Sequence, residues 1–252
     1  MGKKIAIAGK GGVGKTTTSG LIIRNLIDAN KGTVLALDAD PNSNLNEVLG
    51  VEVSSTIGMI REDFKKNAPR MTGGIFKDQM VEMNVHQALI ESSNFDLLVM
   101  GRGEGPGCYC AANNLFKTYI DTLQDNYGWV VMDNEAGMEH LSRRTTSDVD
   151  WLLIVSDPSP RGILTAARIK DLAKEVNVSA GEIHLIVGRV DGKLDSRLEK
   201  SINEKELDLA GIINSDDDIH EMDLEGGSVF DLPADSKSLL QVRGLLEKIG
   251  VF

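Results

Sequence analysis

The sequence predicts an α/β protein built on a mostly parallel sheet with helices on both faces. Three observations predict it. Short apolar runs recur along the chain, and most are followed by a helix-length segment. The runs are apolar at successive positions, as strands buried on both faces must be. A glycine-rich loop, Gly9-Lys10-Gly11-Gly12-Val13-Gly14-Lys15-Thr16-Thr17, stands between the first apolar run and the first helical pattern.

Taken in order, Lys4–Ala8 reads as a buried strand and Thr17–Asn30 as a helix that begins at the loop. The loop glycines allow backbone N–H groups to point inward at a helix N-terminus, where unpaired donors and the helix dipole both favour negative charge. A phosphate chain is the ligand such a loop needs. Lys15 is then placed to reach the β- and γ-phosphates of a nucleoside triphosphate, and the Thr16 hydroxyl to ligate Mg²⁺. Val34–Leu37 reads as the next strand, and Asp38-Ala39-Asp40-Pro41-Asn42-Ser43-Asn44 follows at its carboxyl end, where ligands of such sheets collect. A carboxylate there can orient water for in-line attack on a γ-phosphate.

Residues 54–92 are less regular and mix Met59, Met71, Met80 and Met83 with charges. They read as an insertion over one face of the nucleotide or partner site, the methionines serving as ordinary packing or, alternatively, as an adaptable docking surface. Leu97–Met100, Val130–Met132, Leu152–Val155, His184–Val187 and Leu209–Ile213 read as further strands. Asp133 ends one of them, and an aspartate so placed beside a phosphate loop commonly holds Mg²⁺ in its outer sphere. In Asp235–Gly250, the spacing of Leu239, Val242, Leu245 or Leu246, and Ile249 predicts a helix packed on its own domain. Only Lys237, Arg243 and Lys248 supply it with cations, too few for a membrane anchor.

The 252 residues suit one nucleotide-binding α/β domain over 1–252. No basic stretch followed by an apolar segment comes after Met1, and no run approaches the ~18 apolar residues that span a bilayer. A cytoplasmic location is expected. The net charge of −11 disfavours nucleic acid and anionic membrane as partners, since both need basic surface.

Cys108 and Cys110 are the only cysteines, in Gly105-Pro106-Gly107-Cys108-Tyr109-Cys110. Extended backbone would send both thiols to one side. A bridge between them would close a strained ring, and two thiolates are too few for a four-ligand site. A two-fold dimer would supply four, enough to hold one soft or borderline metal on the axis. The same four thiolates would also suit a [4Fe–4S] cluster, and two unpaired small hydrophobes are the plain alternative.

The extra lysine, Lys10, makes the loop resemble the deviant Walker A loop of dimeric ATPases related to the nitrogenase iron protein, the arsenite-pump ATPase and MinD. That resemblance implies that Lys10 crosses a two-fold interface to the nucleotide of the opposite subunit and joins Lys15 and Asp40 in catalysis. It makes Asp40 the water-orienting residue, with Asp38 and Asn44 supporting Mg²⁺ and phosphate. In Ala136-Gly137 it implies a glycine amide, that of Gly137, sensing the γ-phosphate, with His140 a switch-helix residue. Met100-Gly101-Arg102, the Cys-Tyr-Cys segment, Asn113-Asn114 and Ala136-Gly137-Met138-Glu139-His140-Leu141-Ser142-Arg143-Arg144-Thr145 extend the likeness over nearly the whole chain. In these the sequence resembles the CooC-type nickel-insertion ATPases. The resemblance implies a homodimer that uses ATP and Mg²⁺, holds nickel or zinc between Cys108 and Cys110 of both subunits, and serves carbon monoxide dehydrogenase or acetyl-CoA synthase. An iron–sulfur electron-transfer ATPase and a positioning ATPase acting on DNA or membrane are the rival expectations. Gly188 departs from the pattern, since relatives place an adenine-binding Asn there. Base recognition is then left to another residue, such as Asn214, or is relaxed.

Overall fold

The computed structural model describes residues 2–42, 44–67, 82–101, 120–136, 148–175 and 179–252. Among these residues eight strands form one sheet: β1 (Lys3–Gly9), β2 (Val34–Asp38), β3 (Ile90–Glu91), β4 (Phe95–Val99), β5 (Trp129–Asp133), β6 (Asp148–Ser156), β7 (Ser179–Val190) and β8 (Leu209–Asn214). Their order is β3-β4-β2-β5-β1-β6-β7-β8. All neighbours are parallel except β3, which runs antiparallel to β4.

The parallel core follows from side chains that are apolar on both faces. Ile5 and Ile7 of β1 point to one side and Ala6 and Ala8 to the other, all fully buried. The first side is covered by helix α1 (Lys15–Asp28), through Leu21, Ile22, Ile23 and Leu26, and by the helix Lys237–Lys248, through Leu239, Val242 and Leu246. Trp129 and Trp151 stack there with centroids 6.0 Å apart, each indole N–H donating to a backbone carbonyl, that of Lys31 and of Ile249. The other side is covered by the helix Pro160–Glu175, through Ile163, Ala166 and Ile169, with Leu198 and Ile202 of the helix Ser196–Glu204.

Helix α1 starts at Lys15 instead of Thr17, because Gly14 at φ +91 turns the chain directly from loop to helix. It ends at Asp28, and Asn30, expected inside it, lies at φ +49. Within the stretch 54–92, the described residues 54–67 and 82–92 are more regular than their composition indicates, containing the helix Ile57–Asn67, a helical segment at 82–88 and β3. Ile57, Ile60, Val85 and Ala88 form its buried side. Met59 and Met83 are 56% and 52% exposed, so the packing expectation fails for both. Each lies two positions from a buried residue on its helix, a spacing that turns it to the opposite face. Met71 and Met80 lie outside the described residues. The helix Lys237–Lys248 packs on the sheet as its stripe predicts. Among the described residues no helix is long and apolar enough to cross a membrane.

What positions the site is the place of β1, flanked by β5 and β6 while its sequence successor β2 lies beyond β5. The connections leaving β1 and β6 therefore diverge, which opens a crevice at the carboxyl ends of the strands. Register sets Ile7 beside Asp133 and Asp133 beside Asp38 in that crevice.

Candidate functional site

The loop between β1 and α1 is built to receive an anion. Gly14, the residue before the helix, carries no capping side chain, and no acidic residue stands in the first helical turn, so the helix itself supplies no acceptor for its first N–H groups. Gly12 and Gly14 have φ of +77 and +91, which only glycine adopts readily, and a Cβ at either would meet nothing within 4 Å. Lys15 folds back under the loop, 7% exposed, its Nζ 3.4 Å from the Lys10 carbonyl. Burial lowers the pKa of this ammonium, while the charges of Asp133, Asp40 and Glu135 oppose the shift. The Lys10 side chain is exposed.

Asp133 is 1% exposed and is tied to the first turns of α1. It accepts the Thr16 hydroxyl, and Ser19 Oγ lies 3.1 Å from its Oδ1 and 3.0 Å from the Lys15 carbonyl. Burial pushes its pKa up to about 6, against the pull of the Thr16 and Ser19 hydrogen bonds and of Lys15. Asp38 is fully buried and also pushed up to about 6, by burial first and by the neighbouring charge of Asp133. Its Oδ1 accepts the Asp40 N–H and its Oδ2 the Leu45 N–H, both at 3.0 Å. Asp38 thus shapes the turn that carries Asp40, and Asp40 in turn accepts the Asn42 N–H at 2.8 Å. Asn44 is exposed at the start of the short helix Leu45–Val48 and makes no capping bond from its side chain.

The structure therefore brings together Gly9 through Thr17, Asp38, Asp40 and Asp133. Cys108, Cys110, Gly137 and His140 lie outside the described residues. Among the described residues no three His, Cys, Asp or Glu side chains form a group that could hold a metal ion. The hydroxyl and carboxylate donors that are present suit Mg²⁺, a hard cation commonly held by one or two carboxylates together with substrate phosphates.

Asn214 is committed within the protein and does not offer a free amide to a base. Its Nδ2 donates to the carbonyls of Val190 and Gly192, each at 2.8 Å, and its Oδ1 accepts from Gln241 at 2.6 Å.

Sequence reasoning missed three contributors. Ser19 stands three residues after Thr16 on the same face of α1, a periodicity that could have revealed it. Asn134, 1% exposed, donates through both its N–H and its Nδ2 to the Ile7 carbonyl, at 3.2 and 3.0 Å, and joins the ends of β5 and β1. Arg189 donates to the Gly12 carbonyl at 2.8 Å from 177 residues away, which no local pattern announces.

Comparison with known proteins agrees with this fold. The AAA domain family matches residues 2–182. An uncharacterized ATP-binding protein of Methanocaldococcus jannaschii is 42% identical over 97% of both chains. The carbon monoxide dehydrogenase accessory protein CooC of Rhodospirillum rubrum is 34% identical over 98% of this chain and 97% of its own. Among solved structures, the MinD cell division protein of Aquifex aeolicus superimposes with a TM-score of 0.72 at 20% identity, covering 99% of this chain and 97% of that one. MinD of Pyrococcus horikoshii in complex with Mg-ADP does so with a TM-score of 0.72 at 19% identity, over 99% and 96%.

Proposed function

Since the chain belongs to the AAA domain family, as an ATPase with the phosphate-loop fold of MinD and ParA, we propose that it works as a dimeric metallochaperone coupling ATP hydrolysis to nickel insertion into carbon monoxide dehydrogenase or acetyl-CoA synthase. The observation that carries this reading is the likeness to CooC over nearly the full length of both chains.

In this reading, the N–H groups of Gly9 through Thr17 bind the phosphates, and Lys15 meets the charge on the β- and γ-phosphates. Thr16 and Asp133, already hydrogen-bonded to each other, would hold Mg²⁺, with Asp38 stiffening the turn beside them. Mg²⁺ bound there would supply positive charge to the phosphates. Asp40 orients the attacking water, and Lys10 completes the site of the opposite subunit. The Gly137 amide senses the γ-phosphate and passes its loss to the dimer interface. Nickel is the cargo, held between the Cys108 and Cys110 pairs of two subunits. Nucleotide can move it only by preferring one dimer geometry that also changes metal affinity.

The test is anaerobic titration with Ni²⁺ alone, with and without a non-hydrolysable ATP analogue. One Ni²⁺ per two chains is expected, with intense sulfur-to-nickel charge-transfer absorption that vanishes in Cys108→Ala and in Cys110→Ala. One ion per chain, or undiminished binding in either variant, would defeat the shared site. A brown chromophore after anaerobic purification would favour an electron-transfer ATPase instead. Unimpaired ATP hydrolysis with no metal binding would favour a positioning ATPase.

A further inference from the structure

Strand β7 meets the phosphate loop through an irregularity. Its ladder with β8 shifts register between Val187 and Val190, so Gly188 and Arg189 leave the regular pairing. The bulge rests on the loop, and a Cβ placed on Gly188 would stand 3.7 Å from the Val13 carbonyl. Arg189 has φ +55, a left-handed conformation that is costly for a long side chain and needs compensation from its surroundings. Among the described residues its guanidinium has no ion-pair partner; it donates instead to the Gly12 carbonyl at 2.8 Å.

The carbonyl it holds belongs to the peptide unit joining Gly12 to Val13. In a trans peptide the C=O and the N–H point in opposite directions, and no cis peptide is present among the described residues. Drawing the Gly12 oxygen toward β7 therefore turns the Val13 N–H to the opposite side of the loop, away from β7. Glycines at 11, 12 and 14 leave this peptide little intrinsic preference. We propose that Arg189 is a positioning residue for nucleotide binding, holding the Gly12–Val13 peptide so that the Val13 N–H is presented to the phosphates of the nucleotide. The inference rests on nucleotide binding alone and stands whether or not the metal reading does.

Arg189→Gly separates this role from a structural one, because it removes the guanidinium and at the same time relieves the positive φ. Its thermal midpoint should equal or exceed that of the parent protein. Its Kd for a fluorescent mant-ADP, measured with Mg²⁺, should rise about five- to tenfold. The KM for ATP should rise similarly while kcat holds, since the donor serves bound substrate and transition state alike. Arg189→Lys, which keeps a cationic donor, should recover part of the affinity. Parental mant-ADP affinity in Arg189→Gly overturns the proposal, as does an affinity loss accompanied by a fall in thermal midpoint.

Discussion

Asp38 and Asp133 stand side by side at the ends of β2 and β5, both almost wholly removed from solvent and each pushed up to about 6 by burial. In the unfolded chain such groups titrate near pH ~3.9. Between those values the folded protein binds more protons than the unfolded one, so its stability falls as pH rises from about 4 to about 6. The contribution is full below the unfolded pKa and lost above the folded one. Asp195, Asp216 and Asp231 act in the reverse sense, but their lowered pKa values confine their loss to more acid pH. We therefore expect denaturant midpoints of the nucleotide-free protein to drop by a few kcal/mol in equivalent stability across that window. Asp133→Asn should show about half the slope, since one of two matched carboxyls is gone. Mg²⁺-nucleotide affinity should rise with pH over the same range, because a cation favours the ionised carboxylates. A nucleotide-free stability that is flat or rising between pH 4.5 and 6.5 would refute the assignment.

Elements are joined at this end of the sheet by a single carboxylate. Asp216 Oδ1 accepts the Asp218 N–H at 3.2 Å and caps the helix Asp217–Glu225, while Oδ2 accepts the Ser238 N–H at 2.6 Å and the Ser236 hydroxyl at 3.2 Å at the start of Lys237–Lys248. Desolvation, its largest single influence, raises its pKa, but the bonds from Ser238, Asp218 and Ser236 outweigh that and leave it lowered. Asp216→Ala should cost about 2 kcal/mol by chemical denaturation, two helix starts losing their acceptor at once. Asp216→Asn should retain part of this, since Asn is a good cap with only one acceptor oxygen. A cost under about 0.5 kcal/mol for the alanine variant would show that neither helix depends on it. By contrast, the helix Pro160–Glu175 is capped locally, Ser159 Oγ accepting the Gly162 N–H at 3.0 Å with proline at its first position.

At the scale of the molecule, one chain presents Lys10 as an exposed cation whose carbonyl, not its side chain, serves its own loop. If Lys10 acts on the nucleotide of a second subunit, Lys10→Gln should weaken nucleotide-driven dimer closure and slow hydrolysis by tenfold or more, on the order of one charge-assisted contact to phosphate, without lowering the thermal midpoint. Sedimentation with a non-hydrolysable analogue checks it. Unchanged closure together with parental turnover would make Lys10 a solvated loop residue.

The sequence by itself determined the phosphate loop, seven of the eight strands and the carboxylates Asp38, Asp40 and Asp133 at strand ends. These are legible because each depends on short-range rules: glycines that permit a positive φ, apolar runs that need burial on both faces, and polar residues where a strand stops. The two-residue strand β3 was too short to carry a pattern. Only the tertiary structure decided that Asp38 spends both oxygens on the turn it precedes, that Asn214 is locked to Gln241, that Asp216 caps two helices, and that Arg189 grips Gly12. Apart from the Asp38 turn and the local bond from Asp218 to Asp216, each of these bonds joins residues distant in sequence, and which distant residues meet depends on strand order. That order places β5 between β1 and β2 and sends β7 past the phosphate loop, an outcome of packing the whole sheet that no window of neighbouring residues encodes.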